Sequence, residues 1–304
     1  MNLSDKSKIL CFGEILWDIL PEKRSPGGAP MNVAVHLSRL GLDVRFVSRI
    51  GDDPPGHELK RYLESVNFTD YFLQLDPHHS TGTAQVDMSD PNDPQYQFPD
   101  CAWDYLEWTR DLISLAENSD ILIHGSLIAR KPSSYNTLKQ LIRDAKKFKV
   151  FDVNLRNPHY SKELIQELLK QADWVKMNYS ELKTIGEWFV GPADEATSLR
   201  KIRDRFDCKV ISVTHGKKGA SLLYDDTYQR HNGYVTQVTD TIGAGDAFLA
   251  GLIHGILEGY DTIRTLDYAV ALGAFVTTQS GANPLYRKAD IEHFIHNAQD
   301  FQNS

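Results

Sequence analysis

The residues best placed to do chemistry stand together in one stretch, Asp240-Thr241-Ile242-Gly243-Ala244-Gly245-Asp246-Ala247-Phe248. Residues 234–239 before it alternate β-branched and polar side chains, which predicts a strand. Residues 247–257 after it have helical character, and Gly251, Gly255 and Gly259 recur every four positions. A strand that runs into a glycine-rich turn opening a helix leaves backbone N–H groups converging on one point, with the positive end of the helix dipole behind them. Such a turn receives an anion, most often phosphate. Asp246 puts a carboxylate inside that cradle. A site that only held phosphate would avoid the extra charge, whereas one that activates a hydroxyl to attack a phosphoryl group needs it. The alternative role for Asp246 is helix capping. In either role the dipole is expected to lower its basicity.

Two other glycine-rich readings fail on spacing. No G-x-x-x-x-G-K-[ST] occurs, which excludes a P-loop. Phe248 stands where a dinucleotide fingerprint needs a small residue, and Asp267, the acid nearest the required distance, falls in a helical pattern. Composition narrows the field further. The net charge of −8 and the lack of a Lys/Arg block argue against nucleic-acid binding. The three cysteines, Cys11, Cys101 and Cys208, show neither metal nor disulfide spacing and fit a reducing compartment. No segment approaches the ~20 apolar residues of a membrane span, and the N-terminal residues lack the apolar core of a signal peptide. The expectation is a soluble cytoplasmic protein.

The elements that must position the glycine-rich turn follow from periodicity. Residues 9–13 read as a buried strand, 14–20 alternate around the lone acid Asp18, 25–30 form a tight loop, and 31–41 an amphipathic helix stopped by Gly41. A strand over 44–50 and a helix over 57–65 follow. Residues 68–75 and 81–88 are further strand candidates, and residues 70–105, with a Pro/Asp/Asn-rich part and an aromatic cluster at 101–106, read as hairpin material standing apart from the main sheet. Such a cluster usually packs, but it could also close over a substrate. From residue 111 helices and strands alternate strictly: helices over 111–117, 133–147, 161–171, 179–187 and 195–205, strands over 121–125, 150–153, 174–177 and 209–214. This alternation predicts a mainly parallel sheet with helices on both faces, in a single domain spanning 1–304.

Polar residues gather beyond the strand ends, the edge where open α/β sheets bind ligands. Asn178-x-x-Glu181 could hold the water shell of Mg2+, or simply cap a helix. Thr214, Gly216 and Gly219 lie in a turn that suits a nucleotide or merely joins two strands. Arg156 offers a fixed fork of donors to phosphate or a polyol, or forms a surface salt bridge. Asn32, in the first turn of its helix, either faces a ligand or caps. His124, His215 and His254 lack metal-ligand spacing and read as structural.

Taken in order, these stretches resemble the ribokinase-like (PfkB-type) carbohydrate kinases from Gly13 to about Pro284. The resemblance rests on Gly27-Gly28-Ala29-Pro30-x-Asn32, Arg49-Ile50-Gly51-Asp52-Asp53-x-x-Gly56, Asn178-x-x-Glu181, Val213-Thr214-x-Gly216-x-x-Gly219-Ala220 and Asp240-Thr241-x-Gly243-Ala244-Gly245-Asp246. Residues 13–21, 28–32 and 152–156 are most similar to the fructokinases. The resemblance implies a three-layer α/β/α sandwich with a small β-strand lid, drawn from about 14–25 and 70–105. It implies Asp246 as catalytic base, with Gly243, Ala244 and Gly245 as the anion hole. Asp18, Gly28 and Asn32 would contact the sugar, with Arg156 near the transferred phosphate. Asn178, Thr214, Gly216 and Gly219 would serve ATP, Glu181 would reach Mg2+ through water, and K+ could sit at Asp240 and the carbonyl of Ile242, where Thr is common in the family. A homodimer through the lid is also implied. The double proline Pro54-Pro55 and the 90–103 stretch depart from the family pattern and bear on lid shape. The implied activity is an ATP-dependent sugar kinase, fructose being the expected acceptor, with ribose or 2-keto-3-deoxygluconate as alternatives and a non-catalytic nucleotide or sugar sensor as the rival of another class.

Overall fold

A computed structural model describes residues 3–19, 24–69, 71–87, 95–144 and 148–303. Residues 20–23 and 88–94, expected in or near the lid, and 145–147, expected to end a helix, lie outside the described residues. In chain order the elements are β1 (Ile9–Phe12), β2 (Leu16–Ile19), β3 (Arg24–Gly27), α1 (Ala29–Arg39), β4 (Val44–Gly51), α2 (Pro54–Ser65), β5 (Tyr71–Asp76), β6 (Gly82–Asp87) and β7 (Gln95–Gln97). The alternating part follows as α3 (Arg110–Glu117), β8 (Ile121–Gly125), α4 (Pro132–Asp144), β9 (Phe148–Asp152), α5 (Lys162–Leu169), β10 (Trp174–Asn178), α6 (Tyr179–Phe189), α7 (Glu195–Phe206) and β11 (Val210–Thr214). The chain closes with β12 (Ala220–Tyr224), β13 (Thr227–His231), α8 (Ala244–Leu257), α9 (Thr262–Thr277) and α10 (Lys288–Asn303).

Nine strands form the main sheet in the order β13-β12-β11-β10-β9-β8-β1-β4-β5. The ladders from β5 to β11 are parallel, and β12 and β13 add an antiparallel edge. Strand pleating sends alternate residues to opposite layers. In β1, Ile9 and Cys11 pack with α1, α8 and α9, while Leu10 and Phe12 pack with α4 to α7 on the other face. Covered on both sides, β1 is a continuous apolar run, as a buried parallel strand requires. The four-residue glycine spacing in α8 serves packing. A Cβ on Gly251 would lie 2.8 Å from the Ala269 Cα, and one on Gly255 3.1 Å from the Thr265 Cα, so α8 and α9 meet backbone to backbone.

The lid is a separate sheet ordered β3-β2-β6-β7. Three expectations change here. Residues 25–27, part of the loop expected over 25–30, fall in β3, because an edge strand tolerates Pro26. Residues 71–76, expected in the lid, form β5 on the edge of the main sheet, parallel to β4. The strand expected over 234–239 does not form. The sheet edge is already taken by β13, the chain turns at Gly233 (φ +90°), and Val235 (103 %) and Val238 (56 %) stand exposed along a cavity wall. The aromatic cluster at 101–106 packs, with Trp103 fully buried and the Arg130 guanidinium 4.2 Å above its ring while pairing with Asp104. The double proline also finds a place. Pro54 and Pro55 open α2 behind the Asp53 cap, and the Pro55 carbonyl accepts from the Trp17 indole of the lid at 3.1 Å.

Candidate functional site

The turn at Gly243 is the N-cap of α8. Gly243 holds φ +76°, and a Cβ there would press on Ala282 at 2.6 Å, so only glycine fits both the backbone and the space. Ala244 and Gly245 open the helix, whose first amides have no earlier turn to bond. Of the three amides expected to form an anion hole, that of Ala244 is engaged by the Thr241 carbonyl at 3.3 Å. Asp246 follows in the first turn, where Asn32 Nδ2 donates to its Oδ2 at 2.8 Å. Asn32 is itself buried in the first turn of α1, fixed by the bond from its own N–H to the Gly28 carbonyl at 2.9 Å. Gly28, at φ +119°, lies so close to the Glu14 carbonyl that a side chain would collide with it.

The electrostatics of Asp246 differ from expectation. Burial lifts its pKa to about 6, Asp152 adds to the rise, and Lys176, the Asn32 hydrogen bond and Arg156 oppose it. Desolvation is the largest influence, so Asp246 is a stronger base than an ordinary carboxylate. Two further carboxylates share the region. Asp18, on β2, lies against the Cα of Gly27 and is raised by burial to about 6, with Arg156 opposing. Glu14, just past β1, is buried and raised to about 7 by desolvation, with Arg156 lowering and Asp246 raising it. Its Oε2 has no partner among the described residues. Arg156 thus acts by charge on three carboxylates, Glu14, Asp18 and Asp246.

Glu14, Lys176 and Asn283 stand outside every site assignment made from sequence. Lys176 gives the clearest retrospective signal, a single cation within the apolar strand β10. Its Nζ donates to both oxygens of Asp152, at 2.9 and 3.0 Å, and lies 3.3 Å from where a Gly245 Cβ would be. Burial pulls its pKa down, but Asp152, Asp246 and Glu181 together hold it above the ordinary value. A buried ammonium therefore stands beneath the first turn of α8. Asn283 bonds to Asn32, 251 residues away in sequence, which no local pattern can signal.

Asn178 and Glu181 form a reciprocal capping box at the start of α6. The Glu181 N–H donates to Asn178 Oδ1 at 2.9 Å, and the Asn178 N–H to Glu181 Oε2 at 2.7 Å. Glu181 Oε1 accepts from the Leu155 N–H at 2.8 Å, which ties down the loop carrying Arg156. With each oxygen already accepting one backbone N–H, the spare lone pairs of Glu181 suit a metal-bound water better than direct ligation. Asp240 is similarly engaged, accepting from the amides of Ile242 at 3.0 Å and Gly281 at 3.2 Å.

Beside the turn opens a cavity of about 710 Å³. Its lining includes Thr214, Gly216 and Gly219, Val235 and Val238, and Ala244, Gly245 and Phe248 at the start of α8. The structure thus joins the nucleotide-loop candidates to the start of α8 through one open space. Asp18, Gly28, Asn32 and Arg156 gather instead around Asp246 through hydrogen bonds and charge. Among the described residues no three His, Cys, Asp or Glu side chains converge as a metal cage, and no helix is long and apolar enough to cross a membrane.

Comparison with known proteins agrees with this geometry. The pfkB family of carbohydrate kinases matches residues 5–289. A fructokinase of Escherichia coli is 30% identical over 298 residues, covering 91% of this chain and 95% of its own. An ATP-dependent 6-phosphofructokinase of Thermoanaerobacterium thermosaccharolyticum is 28% identical over 298 residues, covering 91% and 90%. Among solved structures, a double mutant of the Vibrio cholerae O395 fructokinase, with fructose, ADP and a potassium ion bound, superposes with a TM-score of 0.82 at 26% identity, over 97% of this chain and 100% of that one. The chain belongs to the pfkB family of carbohydrate kinases.

Proposed function

We propose that this carbohydrate kinase transfers the γ-phosphoryl group of ATP to a primary hydroxyl of fructose, with Asp246 as the base. The observation that carries the reading is the placement of Asp246. It sits in the first turn of a helix whose start lines the large cavity, held by Asn32 and flanked by Lys176. ATP would occupy the cavity with its phosphates toward Gly243, Ala244 and Gly245. Phosphoryl transfer is catalysed mainly by positioning and by stabilising charge, because its transition state is loose. The amides of the turn and the Lys176 ammonium would receive charge growing on the transferred group. Asp246, with a pKa of about 6, is ionised at neutral pH yet basic enough to take the hydroxyl proton as it leaves.

On the acceptor side, Glu14, Asp18 and the Gly28–Asn32 turn offer hydrogen-bond partners to sugar hydroxyls, and Arg156 stands ready for the phosphate. Bound Mg2+ would supply charge neutralisation on the ATP phosphates, with Asn178 and Glu181 holding its water shell. K+ at Asp240 and the Ile242 carbonyl belongs to the same proposal, as does pairing of two copies through the lid, whose edges are β3 and β7. Support for fructose comes from the fructokinases among the relatives; the phosphofructokinase relative makes fructose 6-phosphate the competing acceptor.

The test is ADP release with ATP and Mg2+ across fructose, fructose 6-phosphate, ribose, 2-keto-3-deoxygluconate, glucose and adenosine, with and without K+. The highest kcat/KM is expected with fructose. A higher value with another acceptor moves the substrate and keeps the chemistry. ATP binding without turnover on any acceptor removes the kinase reading in favour of a sensor.

A further inference from the structure

The segment Gly281–Pro284 lies as a strap across the start of α8 and along one face of α1. Gly281 donates to Asp240, and Ala282 packs behind Gly243. Three side chains of α1, spaced 32, 36 and 39, grip the strap. The Asn32 Oδ1 accepts from Asn283 Nδ2 at 2.7 Å, the His36 Nε2 bonds the Ala282 carbonyl at 2.9 Å, and the Arg39 guanidinium bonds the Pro284 carbonyl. A carbonyl only accepts, so His36 carries its proton on Nε2 and takes the Tyr286 hydroxyl on Nδ1 at 2.9 Å. Asn283 is thereby held in one place, buried, with its Nδ2 also 3.1 Å from Tyr62 Oη on α2.

We propose that Asn283 is a positioning residue for the base: through Asn32 it fixes the hydrogen bond that keeps Asp246 ionised and aimed. The proposal rests on the reading of Asp246 given above and adds a residue to it. An ionised carboxylate can only accept, so Asn32 must turn its NH2 to Asp246 and its Oδ1 away. Asn283 fills that Oδ1 with a donor, so donation runs from Asn283 through Asn32 to Asp246, while the same Nδ2 also donates to Tyr62 Oη. A protonated Asp246 would donate instead and favour the reverse turn of the Asn32 amide. The Asn283 donor opposes that turn, so it favours the ionised base.

The other groups acting on Asp246 are Lys176 on β10, Asp152 on β9, Arg156 in the loop after β9 and Glu14 after β1; His36 behind Asn32 on α1 is neutral. None of them bonds to Asn283, so substitution there isolates the relay.

The experiment uses the full chain labelled with 13C at aspartate carboxyls, the Asp246 signal being assigned by its loss in Asp246→Asn. In Asn283→Leu, which keeps shape and removes the donor, the Asp246 titration midpoint is expected to rise by about half a pH unit. In Asn283→Asp, which offers only acceptors and adds charge, it should rise by about one unit or more. The acid limb of kcat should move by the same amounts, with the loss greatest at acid pH and the KM for ATP unmoved. Circular dichroism checks folding, and if Asn283→Leu does not fold, the isosteric Asn283→Asp carries the test. A midpoint within 0.2 unit of wild type (about the precision of such a titration, and well below the one-unit scale of a lost charge-assisted bond) in the folded variants overturns the relay and leaves Asn283 a packing residue. The titration needs no turnover. A chain that phosphorylates no acceptor yet shows the shift removes the kinase reading alone, whereas an active chain with an unmoved midpoint removes the relay alone.

Discussion

The two sides of the α8 N-terminus are built from different materials. The cavity side is mostly backbone and uncharged surface: glycines at positive φ (Gly216, Gly219, Gly233), threonines, Val235, Val238 and Phe248, with Lys217 as its charged lining residue. The opposite side is a set of ionisable groups, Glu14, Asp18, Asp152, Lys176, Asp246 and Arg156, linked by charge, with Asn32 bonded to Asp246. Shape and amides suffice where a large ligand brings its own charge, as a nucleoside triphosphate does. Charged side chains are needed where a neutral polyol must be oriented and a proton moved. The contrast predicts that substitutions on the two sides will fail differently, the ionic side in kcat and pH dependence, the glycine side in nucleotide KM.

The largest effect is expected from Asp246→Asn. The amide keeps the shape but cannot take a proton, and it presents no charge to Lys176. The expected loss is about 10²–10⁴ in kcat with the KM for ATP within a factor of about three, read by ADP release. A loss confined to KM would mean that the carboxylate binds rather than reacts. Wild-type kcat should also fall as pH drops through about 6, where Asp246 gains its proton, and this acid limb should be absent from whatever activity Asp246→Asn retains.

Lys176→Met comes next. Removing the ammonium leaves Asp152 buried without its partner, which costs about 3–5 kcal/mol of stability in comparable pairs. The double variant Lys176→Met/Asp152→Leu should regain much of that stability while its kcat stays low. Recovery of both would reduce the pair to a structural tie, and recovery of neither would point to repacking around Gly245.

How much of this was legible in the sequence divides along the same line. The glycine side was largely readable, because positive-φ turns at sheet edges demand glycine and the parallel strands from 121 onward are mostly apolar runs that alternate regularly with helices. Asp246 was readable through its spacing from Gly243 and Gly245. The lid was harder. A short run such as 71–76 satisfies an edge strand of either sheet, and Ser25-Pro26-Gly27 has turn chemistry yet pairs with β2 because an edge position spares Pro26 a donor it lacks. Residues 234–239 carry a strand's alternation, yet Tyr234, Val235, Thr236 and Val238 line the cavity and join no ladder. The ionic side was readable only where a motif names its members. Glu14, just past β1, and Lys176, within β10, look like single charges among apolar residues, and their meaning depends on neighbours brought in from β9, α1 and α8. Helix capping and function were also compatible at Asn178 and Glu181. The capping box forms, and it orients the loop that carries Arg156.

On the glycine side, Gly219→Ala is the informative change. Gly219 sits at φ 82°, ψ −136°, a region closed to other residues, and a Cβ there would strike the His231–Gly233 backbone. Strain of about 1–3 kcal/mol is expected. Relaxing it should shift the loop that lines the cavity, raising the KM for ATP about tenfold and the KM for sugar little. Equal rises in both would mean that the two sides share more structure than their chemistry suggests.

The smallest effect tests the ionic side through stability alone. Glu14 ionises near 7 in the folded chain, mainly because burial disfavours its charge, against about 4.5 when unfolded. Between those values the folded state holds more protons than the unfolded one, so the contribution of Glu14 to stability is full below about pH 4.5 and is lost as pH rises through 7. Glu14→Gln removes the charge and with it this dependence. The variant should therefore be more stable than wild type at pH 8, by about 1–3 kcal/mol in urea denaturation, with the difference closing toward pH 5. Its KM for sugar should rise if the unpartnered Oε2 is the atom that receives a hydroxyl. A variant less stable than wild type at pH 8 would mean that the ionised Glu14 is held by Arg156 strongly enough to repay its burial. A variant more stable but weaker for sugar would show a carboxylate kept at the expense of folding for the sake of binding, a cost to which nothing on the glycine side corresponds.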